Sequence, residues 1–260
     1  MTTADTPASP ADPLKFTTIA HANHRYFSPM SAARAAALVQ MFDLGAGDEV
    51  LDVGCGRARL LMEVLTAHPA RGTGVDTNAS FIAMAAAAAQ QLNLADRLTL
   101  IAKPLAEAVG ADRRFAAVLC LGSSQAIGTL AEAMAWAFGM LRPGGVALFA
   151  DGFWRAKPAA DYLDALGATE DEMRNHAGNA ELARIAGFRV LRTMAANDDE
   201  WDEYEGLYCD AIERYVDAHP DDPDRAAMGE RIRAWHDAYL HFGRATLGYG
   251  YYLLLKPRNA

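Results

Sequence analysis

Asp52, Gly54 and Gly56 fall together where an apolar run, residues 49–53, gives way to a helical segment (LDVGCGRARL), and a second carboxylate, Asp76, ends another short run 22 residues after Gly54. A strand that ends in Gly-x-Gly and re-enters as a helix lets backbone approach a ligand and aims free N–H groups at it, which is the chemistry of a nucleotide site. Asp52 narrows the choice of nucleotide, because a carboxylate beside the glycine turn repels a pyrophosphate and suits a cationic ligand. The third glycine of a dinucleotide fingerprint is also absent: Arg57, Ala58, Arg59 and Leu60 follow Gly56. An NAD-dependent oxidoreductase therefore fits poorly. A second group of chemistry-bearing residues, His21, His24, Tyr26 and Phe27 in HANHRYFSP, concentrates imidazoles and rings in a segment otherwise poor in apolar residues. Such a set can wall a pocket and move a proton.

These residues need a scaffold, and the chain supplies alternating strands and helices. Strands are expected at 49–53, 72–76, 97–102, 115–122 and 146–151, separated by helical segments at 57–67, 80–92 and 126–140. The fourth run, FAAVLCLG, is almost wholly apolar, as a strand buried on both faces should be. A helix and a sixth strand follow in ELARIAGFRVLRTMAA, and GYGYYLLLK, 248–256, reads as a seventh strand. Between them, 200–244 carries apolar residues at helical spacing (Leu207, Tyr208, Ala211, Ile212; Met228, Ile232, Trp235, Tyr239) on either side of the turn HPDDPD. The expected fold is an α/β doubly wound, seven-stranded, mostly parallel sheet with a helical insertion before the last strand. Its parts are a mobile tail at 1–14, a lid segment and helix at 15–45, the binding core at 46–199, the insertion at 200–244 and the last strand of the core at 245–260.

From residue 49 to about 152 the chain resembles the class I S-adenosylmethionine-dependent methyltransferases. Four of their motifs stand in order: LDVGCG (51–56), GVD (74–76), AAVLCLGSS (116–124) and LRPGGVALFAD (141–151). The resemblance implies a Rossmann-like methyltransferase fold, S-adenosylmethionine as cofactor and S-adenosylhomocysteine as product. It places Gly54, Cys55 and Gly56 against the methionine portion and Asp52 near its ammonium group. Asp76 would accept from the ribose hydroxyls, with Thr77 flanking the adenosine, and Leu121 and Gly122 would lie along the methionine. The chain departs from the pattern after the third strand: Pro104 stands where the family often has the aspartate that contacts the adenine amino group. Leu105 and backbone groups are left to hold that base.

Methyl transfer from a sulfonium is an in-line displacement, so positioning supplies much of the rate, and a base is needed only if the acceptor must lose a proton. His24, Tyr26 and Asp151 are the candidates for catalytic work. Phe27, Phe153, Trp154, Tyr204 and Tyr208 are the candidates for the substrate wall. No Asn-Pro-Pro-Tyr signature follows the fourth strand, where GSSQA stands instead. With a formal charge of -9 and no basic stripe, nucleic acid and anionic membranes are poor partners, and a small-molecule acceptor is expected. Three cysteines without a C-x-x-C pair point to a reducing compartment, the cytoplasm, and to no metal site. The remaining alternative is a protein that binds S-adenosylmethionine or adenosine without turnover and uses the insertion as a partner surface.

Overall fold

The computed structural model describes residues 14–259; the expected tail, apart from Leu14, lies outside them. Seven strands form one sheet in the order β3-β2-β1-β4-β5-β7-β6. They are β1 (Glu49–Val53), β2 (Arg71–Asp76), β3 (Leu98–Ala102), β4 (Phe115–Leu121), β5 (Leu141–Trp154), β6 (Arg189–Ala195) and β7 (Leu247–Leu255). The first five run parallel, and β7 is antiparallel to both its neighbours. The chain order reverses between β1 and β4, so the crevice beyond their carboxyl ends is where a ligand is expected to bind.

The helices are α1 (Lys15–Ala20), α2 (Ala32–Val39), α3 (Arg59–Ala67), α4 (Ala79–Gln91), α5 (Leu105–Ala108), α6 (Leu130–Met140), α7 (Ala160–Leu166), α8 (His176–Ile185), α9 (Asp198–Ala218), α10 (Arg225–Ala238) and the single turn α11 (Arg244–Thr246). Side chains of α2, α3 and α4 pack on one face of the sheet, around Val50, Leu119 and Leu148. Those of α6 and α8 cover the other face, around Leu51, Val118 and Phe149. Successive strand residues thus serve opposite layers, and the first six residues of β4 are all buried. Caps set the helix starts: Ser31 accepts from Arg34 N, Asn78 from Ser80 N and Phe81 N, and Thr129 forms a capping box with Glu132.

The elements depart from the expected boundaries in instructive places. The helix after the glycine turn starts at Arg59 rather than 57, because Ala58 sits in the left-handed region (φ 51) as its N-cap. Strand β5 runs 14 residues, since β7 pairs with it from Val146↔Leu255 to Trp154↔Leu247 and keeps it extended beyond Asp151. The lid segment contains a short helix, α1, which no apolar periodicity announces. The insertion is a hairpin of α9 and α10, continued by a π turn at Tyr239–Gly243.

Candidate active site

At the carboxyl ends of β1, β2 and β4 a cavity of about 450 Å³ opens, lined among others by Gly54, Asp76, Thr77, Phe81, Lys103 and Leu105. The turn after β1 is built from backbone that only glycine takes easily. Gly54 has φ +62, and a Cβ there would lie 2.4 Å from Ser123 Cβ; Gly56 has φ +53, and its Cβ would meet the Phe27 ring at 2.6 Å. Both residues thus combine a positive φ with a close approach. Asp76 braces the turn: Oδ2 accepts from Gly56 N at 2.8 Å and Oδ1 from Asn78 N at 2.8 Å. Each oxygen keeps a lone pair for a ligand. Cys55 donates its backbone N–H to Val75 O, while burial pushes its thiol far above the ordinary range. It is an inert wall rather than a nucleophile.

Asp52 is the electrostatic anomaly. It is 6% exposed, and its carboxylate has no hydrogen bond or ion pair among the described residues. Burial, then the neighbouring charge of Asp76, pushes its carboxyl up to about 8. It lines a smaller hollow of about 50 Å³ that shares Gly54, Phe27 and Leu121 with the main cavity. Two acids flank a turn with no cation between them, an arrangement that invites a positively charged ligand.

The roof comes from the lid and the insertion. Thr17 and His21 on and beside α1, Phe27, and Tyr204 of α9 all line the cavity. The Asn78 amide donates to Thr18 Oγ1 at 2.9 Å, tying α1 to the cap of α4. His21 lies between Thr17 O (2.8 Å) and the Tyr204 hydroxyl (3.3 Å), and burial holds its imidazole down to about 4. Arg57 reaches back from the turn to the carbonyls of His21 and His24 and lies over the Phe27 ring.

The expected residues divide by position. Gly54, Asp76, Thr77, Leu105, Leu121 and Gly122 meet at the main cavity, with Phe27 and Tyr204, while Asp52 and Cys55 line the adjoining hollow. Tyr26 borders that hollow too, and its hydroxyl donates to Glu63 at 2.9 Å. His24 is 3% exposed and faces a separate hollow of about 60 Å³ with Tyr26 and Tyr204. Its Nε2 lies 2.9 Å from Tyr204 O, and burial lowers its pKa. Tyr208 packs behind, 5.1 Å from the His21 ring. Asp151, Phe153 and Trp154 are not brought to the cavity. Asp151 accepts from Ser124 Oγ (2.6 Å) and Gly152 N, Phe153 lies against His176, and Trp154 donates to Glu170 O beside a different surface hollow. Strand β5 continues past the end of β4 there, paired with β7, and carries them away. His21, named with the lid segment, lines the cavity, and so do Phe81, Lys103 and Gln125, which had not been singled out. Phe81 follows the Asn78 cap of α4 and Lys103 follows the last residue of β3, so their place relative to Asp76 was the available signal.

Residues 50–145 match the family model of a methyltransferase domain. The chain is similar to YjhP of Escherichia coli, 26% identical over 240 residues that cover 92% of this chain and 96% of that one. It is also similar to the crystal structure of a SAM-dependent methyltransferase from Geobacter sulfurreducens in complex with S-adenosyl-L-homocysteine. That likeness has 27% identity and a TM-score of 0.86, and it covers 93% of this chain and 98% of the other. A SAM-dependent methyltransferase from Thiobacillus denitrificans, in complex with the same molecule, gives 27% and 0.85 over the same shares.

Proposed function

We propose that this chain, which carries a methyltransferase domain across residues 50–145, transfers the methyl group of S-adenosylmethionine in line to an N, O or S nucleophile of a small molecule. The observation that carries the reading is a glycine turn flanked by two acids: Asp76, with lone pairs to spare, lines a cavity of about 450 Å³, and Asp52, its carboxylate unpaired, lines the adjoining hollow. That donor set fits a molecule with a ribose at one end and cationic sulfonium and ammonium groups at the other. When bound, S-adenosylmethionine supplies a methyl carbon whose bond to sulfur breaks with the electron pair going to sulfur.

The chain's own residues hold and orient. Gly54, Cys55 and Gly56 offer backbone at close approach, Asp52 balances the ammonium charge, and Asp76 with Thr77 takes the ribose. Leu105 and Phe81 give the base an apolar wall, and Leu121 and Gly122 border the methionine. Tyr26, Phe27 and Tyr204 form the acceptor side, with Tyr208 packed behind; if a proton must leave, His24, 4.8 Å from the Tyr204 ring, takes it. Asp151, Phe153 and Trp154 act at most from behind this wall. The roof of α1 and α9 keeps water from the reacting atoms, which strengthens each polar contact beneath it. Among the described residues no helix is long and apolar enough to cross a membrane.

Calorimetric titration with S-adenosylmethionine, S-adenosylhomocysteine and NADH tests the reading, repeated with Asp76→Ala. Micromolar binding of the first two is expected, weakened about 100-fold or more in the variant, since two hydrogen bonds to a charged acceptor are worth about 3 kcal/mol or more. Binding of NADH alone overturns the reading. Binding of S-adenosylmethionine with no S-adenosylhomocysteine released to any small nucleophile overturns turnover.

A further inference from the structure

The hollow of about 50 Å³ beside the main cavity is lined by charges of both signs. Its acid is Asp52, whose carboxylate is unpaired among the described residues. Three arginines line it as well, and two of them are already engaged: Arg25 and Arg59 each donate to Glu63 at 2.8 Å. Arg57 differs. Its guanidinium meets no carboxylate among the described residues and bonds only to backbone, to Ala22 O at 3.3 Å, His21 O at 3.1 Å and His24 O. Three of the five N–H groups of a guanidinium are used in this way, and the others are left. Burial alone acts on Arg57 and lowers its pKa, with no acid to offset it. Asp52 and Arg57 thus share one hollow with no ion pair between them. Unmatched charges are unfavourable in so enclosed a place, and a ligand carrying the opposite pair satisfies both.

Resting on the methyltransferase reading, we propose that Arg57 recognises the carboxylate of the cofactor's amino-acid head, opposite Asp52 at its ammonium, and passes that recognition to the lid. An ammonium and a carboxylate on one carbon are what two unmatched charges of opposite sign select, and a hollow of about 50 Å³ admits such a head and little more. The hollow shares Phe27, Gly54 and Leu121 with the main cavity, so a ligand with its ribose at Asp76 spans both. The link to the lid is in the same guanidinium. The carbonyls it holds belong to the segment that follows α1, and the Phe27 ring, 5.0 Å from it, lines both spaces. A guanidinium is a rigid plane, so a carboxylate that fixes it also fixes the backbone hung on its other donors. A cofactor analogue without the carboxylate leaves the lid on a freer anchor.

The test compares S-adenosylmethionine with its decarboxylated form, which keeps the adenosine, the sulfonium and the amine. Asp52 and Asp76 by themselves favour the more cationic decarboxylated form, so preference for the carboxylate reports a cation in the site. By calorimetry, wild type is expected to bind S-adenosylmethionine about tenfold or more tightly than the decarboxylated form, the size of a charge-assisted hydrogen bond. In Arg57→Gln that preference should fall to about threefold or less, while affinity for the decarboxylated form stays within about threefold of wild type. Hydrogen exchange gives a second readout that needs no variant: at saturation, amides of residues 21–28 in wild type should exchange more slowly with S-adenosylmethionine than with the decarboxylated form. Equal affinity of wild type for the two ligands, equal weakening of both in Arg57→Gln, or equal exchange of the lid under both each overturns the proposal. Failure of wild type to bind either ligand overturns the methyltransferase reading beneath it instead.

Discussion

Asp52→Asn changes a proton and leaves the shape of the site intact. A carboxyl that titrates at about 8 is roughly nine-tenths protonated at pH 7. If it balances the ammonium of S-adenosylmethionine, binding must expel that proton. The apparent affinity then scales with the deprotonated fraction and rises roughly 90-fold between pH 6 and pH 9, most of it below pH 8. Titrations at pH 7 in two buffers of different ionisation enthalpy should show release of about 0.9 proton per ligand. The ligand's own amine titrates near the top of this range, so the measured quantity is the ratio of wild type to Asp52→Asn at each pH. Stability must move in a matching way. Because the folded-state value is raised, folded protein holds a proton that the unfolded chain has released between about pH 4 and pH 8. Stability therefore falls as pH rises through that window, and ligand-free Asp52→Asn should melt higher than wild type at pH 8 and equally at pH 4. Parallel pH profiles for the two proteins, or no proton release, would refute the assignment of Asp52 to the cation.

Arg34→Ala strands the side chain of Glu200, 4% exposed, and should cost about 3 kcal/mol in urea unfolding. Burial opposes ionisation of Glu200, but Arg34, Ser31 and backbone donors outweigh it and hold the carboxyl at about 2. Its stabilising share is therefore present above the ordinary value of 4.5 and lost as pH falls toward 2; acid titration of the variant should show a smaller loss in that window. Glu205 is the opposite case: burial raises it to about 7 against the pull of the Trp235 N–H at 2.7 Å. Glu205→Gln keeps an acceptor for the indole, so it should raise the melting temperature at pH 8 and leave it unchanged at pH 4.

The glycine turn and the acid that braces it were legible because they are forced by backbone geometry. A turn that needs positive φ at 54 and 56 leaves glycine in the sequence, and a carboxylate that must receive Gly56 N and Asn78 N stands at a strand end. The acceptor half was less legible, since nothing in a single sequence tells a ring that faces a ligand from one that packs a core. Trp154 and Trp201 look alike on paper. One hydrogen-bonds to Glu170 O at a distant hollow, and the other is a buried orphan beside the cavity. The difference follows from where β7 pairs: its antiparallel register keeps β5 extended through Trp154 and sets Tyr249 opposite Gly152. Register of a strand 100 residues away is not written in the local pattern.

The insertion, rather than the core motifs, holds the roof of the cavity. Helix α1 is six residues long and too short to persist alone. It is held by apolar contact: Ala20, Phe16 and Ile19 pack with Ile212, Val216, Met228 and Ile232 of α9 and α10. The ion pairs of Lys15 with Asp222 and Asp224 (2.6 and 2.7 Å) lie at the surface and contribute little beside that packing. The roof is thus carried by the hairpin, while its other edge is tied to Asp76 through Thr18 and Asn78. A ligand drawn to Asp76 and a molecule seated against Tyr204 would bias the same roof from its two sides. Binding of either should order α1 for the other, so positive coupling between cofactor and acceptor follows from this connection. Cutting the Asn78–Thr18 link with Thr18→Val should reduce that coupling while leaving each ligand's separate contacts in place.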